Sequence, residues 1–195
     1  MTNEFLTALK EIDNQILLFV NQNGNQFFDY IMIAFSAKFI WIPFYAYLLY
    51  LLYKQYPKKF IYIIPAIILL IIFADQGSVK LFKNVFERYR PCHNLLLKDQ
   101  LRMIVGCGGK YGFVSSHAAN SFAVFSLIGS IFINFKKQWF YLLFIWAALV
   151  SFSRVYLGVH YPTDVFFGAL FGMSIGFSLY FFLSKYFLHK LNEQY

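Results

Sequence analysis

Charge is scarce in this sequence. Only 13% of its 195 residues are Asp, Glu, Lys or Arg, where a soluble domain carries about 25%. That shortage excludes an ordinary water-soluble globule. Acidic residues are the rarer kind, 9 against 17 basic ones, for a formal net charge of +8. The basic residues fall in short clusters at the ends of apolar runs and not on one polar face, which argues against a nucleic-acid partner. No internal repeat and no low-complexity segment occurs. The first twenty or so residues, with Lys10, Glu11 and Asp13 among them, lack a clean apolar core ending in small residues, so no cleavable signal peptide is expected. Cysteine is limited to Cys92 and Cys107. His93 stands beside Cys92, but no second ligand pair has suitable spacing, so no metal site is expected.

What the chain does have is apolar length. Hydrophobic residues make up 59% and aromatic residues 23%, with a mean hydropathy of +0.55. A transmembrane helix needs about 20 mainly apolar residues. Such spans are expected at Phe60 to Phe82, His117 to Phe135, Trp139 to Leu157 and Tyr161 to Phe187. A further run from Phe27 to Tyr53 is interrupted by Ser36, Lys38 and Pro43. It reads either as one kinked span or as a half-helix followed by a span from about Phe39. From Phe5 to Val20, Leu9, Ile12, Ile16 and Phe19 share one helical face while Lys10, Glu11, Asp13 and Asn14 lie elsewhere, the pattern of an amphipathic helix on a membrane surface.

The expected fold is therefore all-α, a polytopic transmembrane helical bundle of about five to six spans with an N-terminal amphipathic helix. Residues 1–195 form a single domain, with 1–26 as the amphipathic segment and 83–116 as a segment at the outer face. Lys54, Lys58 and Lys59, then Lys136 and Lys137, then Lys185 and Lys190 fall on one side if the spans alternate. The positive-inside rule assigns that side to the cytoplasm. Lys83 to Ser116 and the turn Gly158 to His160 then share the opposite face.

Three constellations lie at that face. In the first, Lys83 and Arg90, just before Pro91, stand about two helical turns apart and could address one anion. Alone, this segment also reads as a basic helix end reaching for the membrane interface. In the second, Ser115 and Ser116 precede His117. Serines cap helices, the N–H groups exposed there bind phosphate, and an imidazole can protonate a leaving alkoxide. A plain helix cap fits the same residues. In the third, Arg154 precedes His160 and Asp164, which stand four apart. If a helix starts near Pro162, the carboxylate can hold one imidazole nitrogen and leave the other free to attack phosphorus. A buried pair that merely ties the turn together is the alternative. Together the segments supply three cations, two histidines, a carboxylate and a helix N-terminus, the parts that hydrolysis of a phosphate ester requires.

In this order the segments resemble the signature of the type 2 phosphatidic acid phosphatase family, Lys-x6-Arg-Pro, Pro-Ser-Gly-His and Ser-Arg-x5-His-x3-Asp. Lys83 to Pro91 and Ser153 to Asp164 match completely; Val114 and Ser116 replace the proline and glycine of the middle motif. The resemblance implies that His160 forms a phosphohistidine, Asp164 orients it, and His117 acts as general acid and then helps activate water. It implies that Lys83, Arg90, Arg154, Ser115 and the backbone of Ser116 hold the phosphoryl oxygens. No metal and no organic cofactor is implied. The expected partner is a phosphorylated lipid in a bacterial cytoplasmic membrane, with the site facing the periplasmic or extracellular side. Undecaprenyl pyrophosphate or broad specificity leads, with phosphatidylglycerophosphate, phosphatidic acid and the phosphates of lipid A open. A lipid phosphotransferase and a non-catalytic lipid-binding protein are the alternatives.

Three further expectations concern single residues. Cys92 and Cys107 pair if the compartment is oxidising, and closing that loop would stabilise it by roughly 3 kcal/mol. Asp75, inside an apolar run, takes an ion-pair partner among Lys80, Lys83 and Arg154. Lys98, Arg102 and Lys110, among several glycines, form a basic loop that is either solvated or in contact with a headgroup.

Overall fold

Apolar runs too long for a soluble core become helices, and the polar breaks between them become turns. A computed structural model describes residues 2–133 and 135–188; Lys190 lies outside them. Helix α1 spans Thr2–Gln22. Asn25 then caps α2, Gln26–Ser36, by accepting from Phe28 N at 3.1 Å. Ala37 is extended, and α3, Phe39–Gln55, leaves at 72° to α2. The bend falls at Ala37 and not at Pro43, because the proline sits in the first turn of the α-helical stretch, where its missing N–H costs nothing.

Among the described residues, four helices are long and apolar enough to cross a membrane: α4 (Phe60–Phe86), α5 (Ser116–Ile133), α6 (Lys137–Tyr156) and α7 (Pro162–Leu188). Counting α2 and α3 as one broken span makes five, the lower end of the expected range. Among the described residues there is no strand, only an isolated antiparallel bridge between Tyr89 and Tyr111. The architecture is an all-α membrane bundle.

Helix α5 is the buried centre, and α4 and α7 expose most of their surface. Sequence chemistry explains the difference. Along α5, Ala118, Ser121, Ser126 and Ser130 are small residues that let neighbours come close, while α4 presents Ile61, Ile68, Leu69 and Phe73 outward. Gly168, Gly172 and Gly176 form a stripe on α7 against α5. A Cβ on Gly172 would lie 2.1 Å from the Ala119 carbonyl oxygen, so only glycine permits this approach. Leu52, Ile63, Leu70, Leu127, Ile131 and Leu143 fill the core below.

Helix α1 lies along one end of the bundle. Leu9, Ile12, Ile16 and Phe19 are exposed, as a lipid-facing stripe would be, and Asp13, Leu17 and Asn21 are buried against the protein. Residues 87–115 are irregular and tied down: Cys92 and Cys107 form a disulfide, and Asn21 receives the Arg102 N–H at 2.7 Å. Arg102, one-third exposed at 33%, pairs its guanidinium with Asp29 at 2.9 Å. Lys110 lies over the rings of Tyr89 and Tyr111.

Candidate active site

The turn between α6 and α7 is built by two residues with special backbone needs. Gly158 takes φ of 71°, which a glycine adopts without strain, and Pro162 opens α7. Asp164 then falls in the first turn of α7, where the Tyr161 N–H donates to its Oδ2 at 3.1 Å. The same oxygen lies 3.4 Å from His160 Nδ1. That contact leaves Nε2 as the nitrogen available for chemistry. His160 is 1% exposed and Asp164 0%. Burial drives the His160 pKa well below the ordinary imidazole value, and the charges of Arg90, Arg154 and Lys83 push the same way. The ring is neutral at physiological pH, the state a nucleophile needs.

The three cations reach this pair from separate elements. Ser78–Lys83 forms a π-helical turn within α4. Residues five apart in an α-helix point about 140° away from each other; the wider turn brings both Ser78 and Lys83 onto Ser116. Lys83 Nζ donates to Ser116 Oγ at 2.7 Å, and Ser78 Oγ lies 2.6 Å from the same oxygen. Arg90 is not two helical turns along from Lys83, as its spacing suggested. The helix ends at Phe86, Glu87 adopts φ of 46°, and Arg90 follows in extended backbone. Its guanidinium donates to the carbonyls of Tyr111 and Cys107 at 3.3 and 3.1 Å, which fastens it to the disulfide-closed loop. Arg154, in the last turn of α6, donates to Ser36 Oγ at the α2–α3 bend. Its buried Nε has no partner among the described residues.

Ser115 caps α5 by accepting from Ala118 N at 3.4 Å, and its own N–H donates to the Asp164 carbonyl at 2.9 Å. The start of α5 is thereby joined to the start of α7. His117 follows, close to Arg154 and His160. Lys83, Arg90, Ser116 and His117 line the upper part of a cavity of about 810 Å³. Tyr45 and Leu48 of α3 and Ile71 and Ile72 of α4 line its apolar part, with Trp146 of α6. His160, Asp164, Arg154 and Ser115 are not part of that wall; they are almost fully buried next to it.

Two predictions about charge need correcting. Asp75 makes no ion pair among the described residues; Asn120 Nδ2 and Gln76 Nε2 donate to it at 3.3 and 3.4 Å. The π-helical turn engages Lys83 with Ser116, and Arg154 turns toward the α2–α3 bend. Asp13, expected on the polar side of a surface helix, is 2% exposed. It accepts from the Thr163 N–H at 2.9 Å and from Arg88 Nη2 at 2.6 Å, while Arg88 Nη1 donates to Asp164 Oδ1 at 2.8 Å. Arg88 also lies 4.0 Å over the Tyr161 ring. Both Asp164 oxygens are thus held, one by Arg88 and one by Tyr161. Gly112 is a further residue of the site, because a Cβ there would lie 2.9 Å from Asp164 Oδ2 and 3.2 Å from Arg90 Cγ. The sequence held one signal for Asp13: with Leu17 and Asn21 it recurs every four residues, a stripe beside the apolar face. Arg88 and Gly112 sit in irregular backbone, where no period marks them.

All three constellations fall within residues 64–187, which match the family model described as PAP2 superfamily. The chain belongs to the PAP2 superfamily. It is 39% identical to the lipid A 4'-phosphatase of Bacteroides thetaiotaomicron over 181 residues, covering 91% of this chain and 79% of that protein. It is 34% identical to the lipid A 4'-phosphatase of Porphyromonas gingivalis, covering 87% of this chain and 72% of the relative. In fold it is similar to the crystal structure of a transmembrane PAP2-type phosphatidylglycerolphosphate phosphatase from Bacillus subtilis, with a TM-score of 0.74 at 22% identity over 92% of this chain and 88% of the other. Within this PAP2 chain the two replaced motif residues have visible consequences. Val114 is fully buried, and Ser116 supplies a hydroxyl to Lys83 where the family pattern has a glycine.

Proposed function

We propose that this phosphatase hydrolyses a phosphate ester of a membrane lipid through a phosphohistidine on His160. The observation that carries the reading is the placement of the His160–Asp164 pair beside Lys83, Arg90 and Arg154 at the head of a cavity whose deeper wall is apolar. Charge gathers where a phosphate needs it, and the lining below suits hydrocarbon. His160 Nε2 attacks phosphorus as the bond to the lipid oxygen breaks, and His117 gives that oxygen a proton. Water then attacks the phosphohistidine, His117 takes a proton from it, and the N–P bond breaks to release inorganic phosphate. Asp164 holds Nδ1 and stabilises the charge that develops on the ring. Lys83, Arg90, Arg154, Ser115 and the Ser116 N–H stabilise the phosphoryl oxygens, which carry most charge in the transition state.

Among lipid phosphates, those of lipid A now lead over undecaprenyl pyrophosphate, because two relatives named for lipid A share 39% and 34% identity over most of the chain. The site faces outward from a bacterial inner membrane in this reading. Two features support that: a disulfide at the same end as the site, as oxidising compartments permit, and the basic connections at the other end.

Phosphate release by the full chain in detergent, measured on lipid A, undecaprenyl pyrophosphate, phosphatidylglycerol phosphate and phosphatidic acid, tests the reaction. Release is expected from at least one lipid and is lost in His160→Ala. His117→Ala slows poor leaving groups more than p-nitrophenyl phosphate. Full release by His160→Ala would remove the phosphohistidine, and transfer only to an added acceptor would make the protein a phosphotransferase.

A further inference from the structure

We infer that the same cavity holds a second recognition site, one helical turn deeper than the phosphate cluster, for a hydroxyl or secondary amide carried by the lipid. The inference rests on the phosphatase reading, since the phosphate sets the depth at which the lipid lies. Ser78 and Ser116 touch beside Lys83. Asp75 stands one turn before Ser78, whose hydroxyl donates to the Asp75 carbonyl at 2.7 Å, and Asn120 stands one turn after Ser116. The two therefore meet about 5 Å further in along the helices, and both line the cavity.

Their hydrogen bonding is lopsided. Asn120 Nδ2 donates to Asp75 Oδ1 at 3.3 Å, so its amide nitrogen faces the carboxyl and its oxygen faces away. That leaves the Asn120 Oδ1 acceptor buried with no partner among the described residues. Trp146 Nε1, on the same cavity wall, is a buried donor likewise without a partner. Unsatisfied polar groups in a membrane interior are costly. A clasp between α4 and α5 would explain the Asn120–Asp75 bond but not the free acceptor and donor. The ester carbonyl of any acyl chain can accept from Trp146, but only a lipid donor, a hydroxyl or a secondary amide N–H, can satisfy the Asn120 acceptor. The chemical class is thus a phospholipid with such a group a few bonds from its phosphate.

The test compares two phosphatidic acids that differ only in a 3-hydroxyl on one acyl chain, with phosphate release by the full chain as the readout. The wild-type protein is expected to show roughly three- to tenfold higher kcat/KM on the hydroxylated lipid, the scale of one net hydrogen bond. Asn120→Leu brings that ratio towards one, and Asn120→Gln, which keeps an amide but displaces its oxygen, lowers it as well. Equal kcat/KM on the two lipids overturns the second site while leaving the phosphatase reading intact, and so does a ratio that persists in both variants. No release from either lipid or from the panel above overturns the phosphatase reading and this inference with it.

Discussion

His160 illustrates how surroundings change the protonation of a single residue. Burial and three neighbouring cations disfavour its protonated form, so the neutral ring persists to lower pH than in a free histidine. The acidic limb of kcat/KM that belongs to His160 is therefore expected below the ordinary imidazole range near pH 6.5. Arg90→Gln removes one of those charges, which raises the His160 pKa and moves the limb to higher pH. Comparing the two profiles on one substrate cancels the titration of the substrate phosphate; coincident limbs would contradict the electrostatic account. Arg88 holds Asp164, the partner of that ring, and Asp13 in turn holds Arg88. Asp13→Asn is expected to lower kcat by about ten- to a hundredfold, the scale of a small misplacement of reacting groups, and to leave KM nearly unchanged. A rise in KM with unaltered kcat would place Asp13 in lipid binding instead.

Helices supply what residues alone cannot. The π-helical turn of α4 puts Ser78 and Lys83 together on Ser116, and the glycine stripe of α7 brings the backbone of α5 close enough for the Ser115 N–H to reach the Asp164 carbonyl. Gly172→Ala forces the two helices apart, at a cost of about 1–3 kcal/mol for overpacking. A thermal midpoint lower by roughly 3–10 °C is the expected result in detergent. An unchanged midpoint would mean that the α5–α7 contact relaxes without strain. The spans were legible because Phe60 to Phe82 and its counterparts are unbroken apolar runs. The true end of α4 at Phe86 was not, since Asn84, Val85 and Phe86 carry no stop signal and Glu87 turns by a backbone angle that the sequence does not announce.

At the scale of the whole molecule, the disulfide-closed loop, the α6–α7 turn and α1 gather at one end of a membrane bundle. Arg90 depends on that loop through the Cys107 carbonyl. A membrane-impermeant reductant is therefore expected to lower activity in sealed right-side-out vesicles and to spare inverted ones. Loss confined to inverted vesicles would reverse the orientation.

Composition and spacing determined the membrane class and the all-α architecture, and they marked the three motifs. Spans follow from apolar length, and His160 and Asp164, four residues apart at a helix start, need only local geometry to meet. Only the tertiary structure decided that Asp13 joins Asp164 through Arg88, that Gly112 must pass beside them, and that Asp75 faces Asn120 in place of a cation. Those contacts join positions far apart along the chain. They depend on how helices are rotated and how irregular backbone packs, which no period in the sequence records.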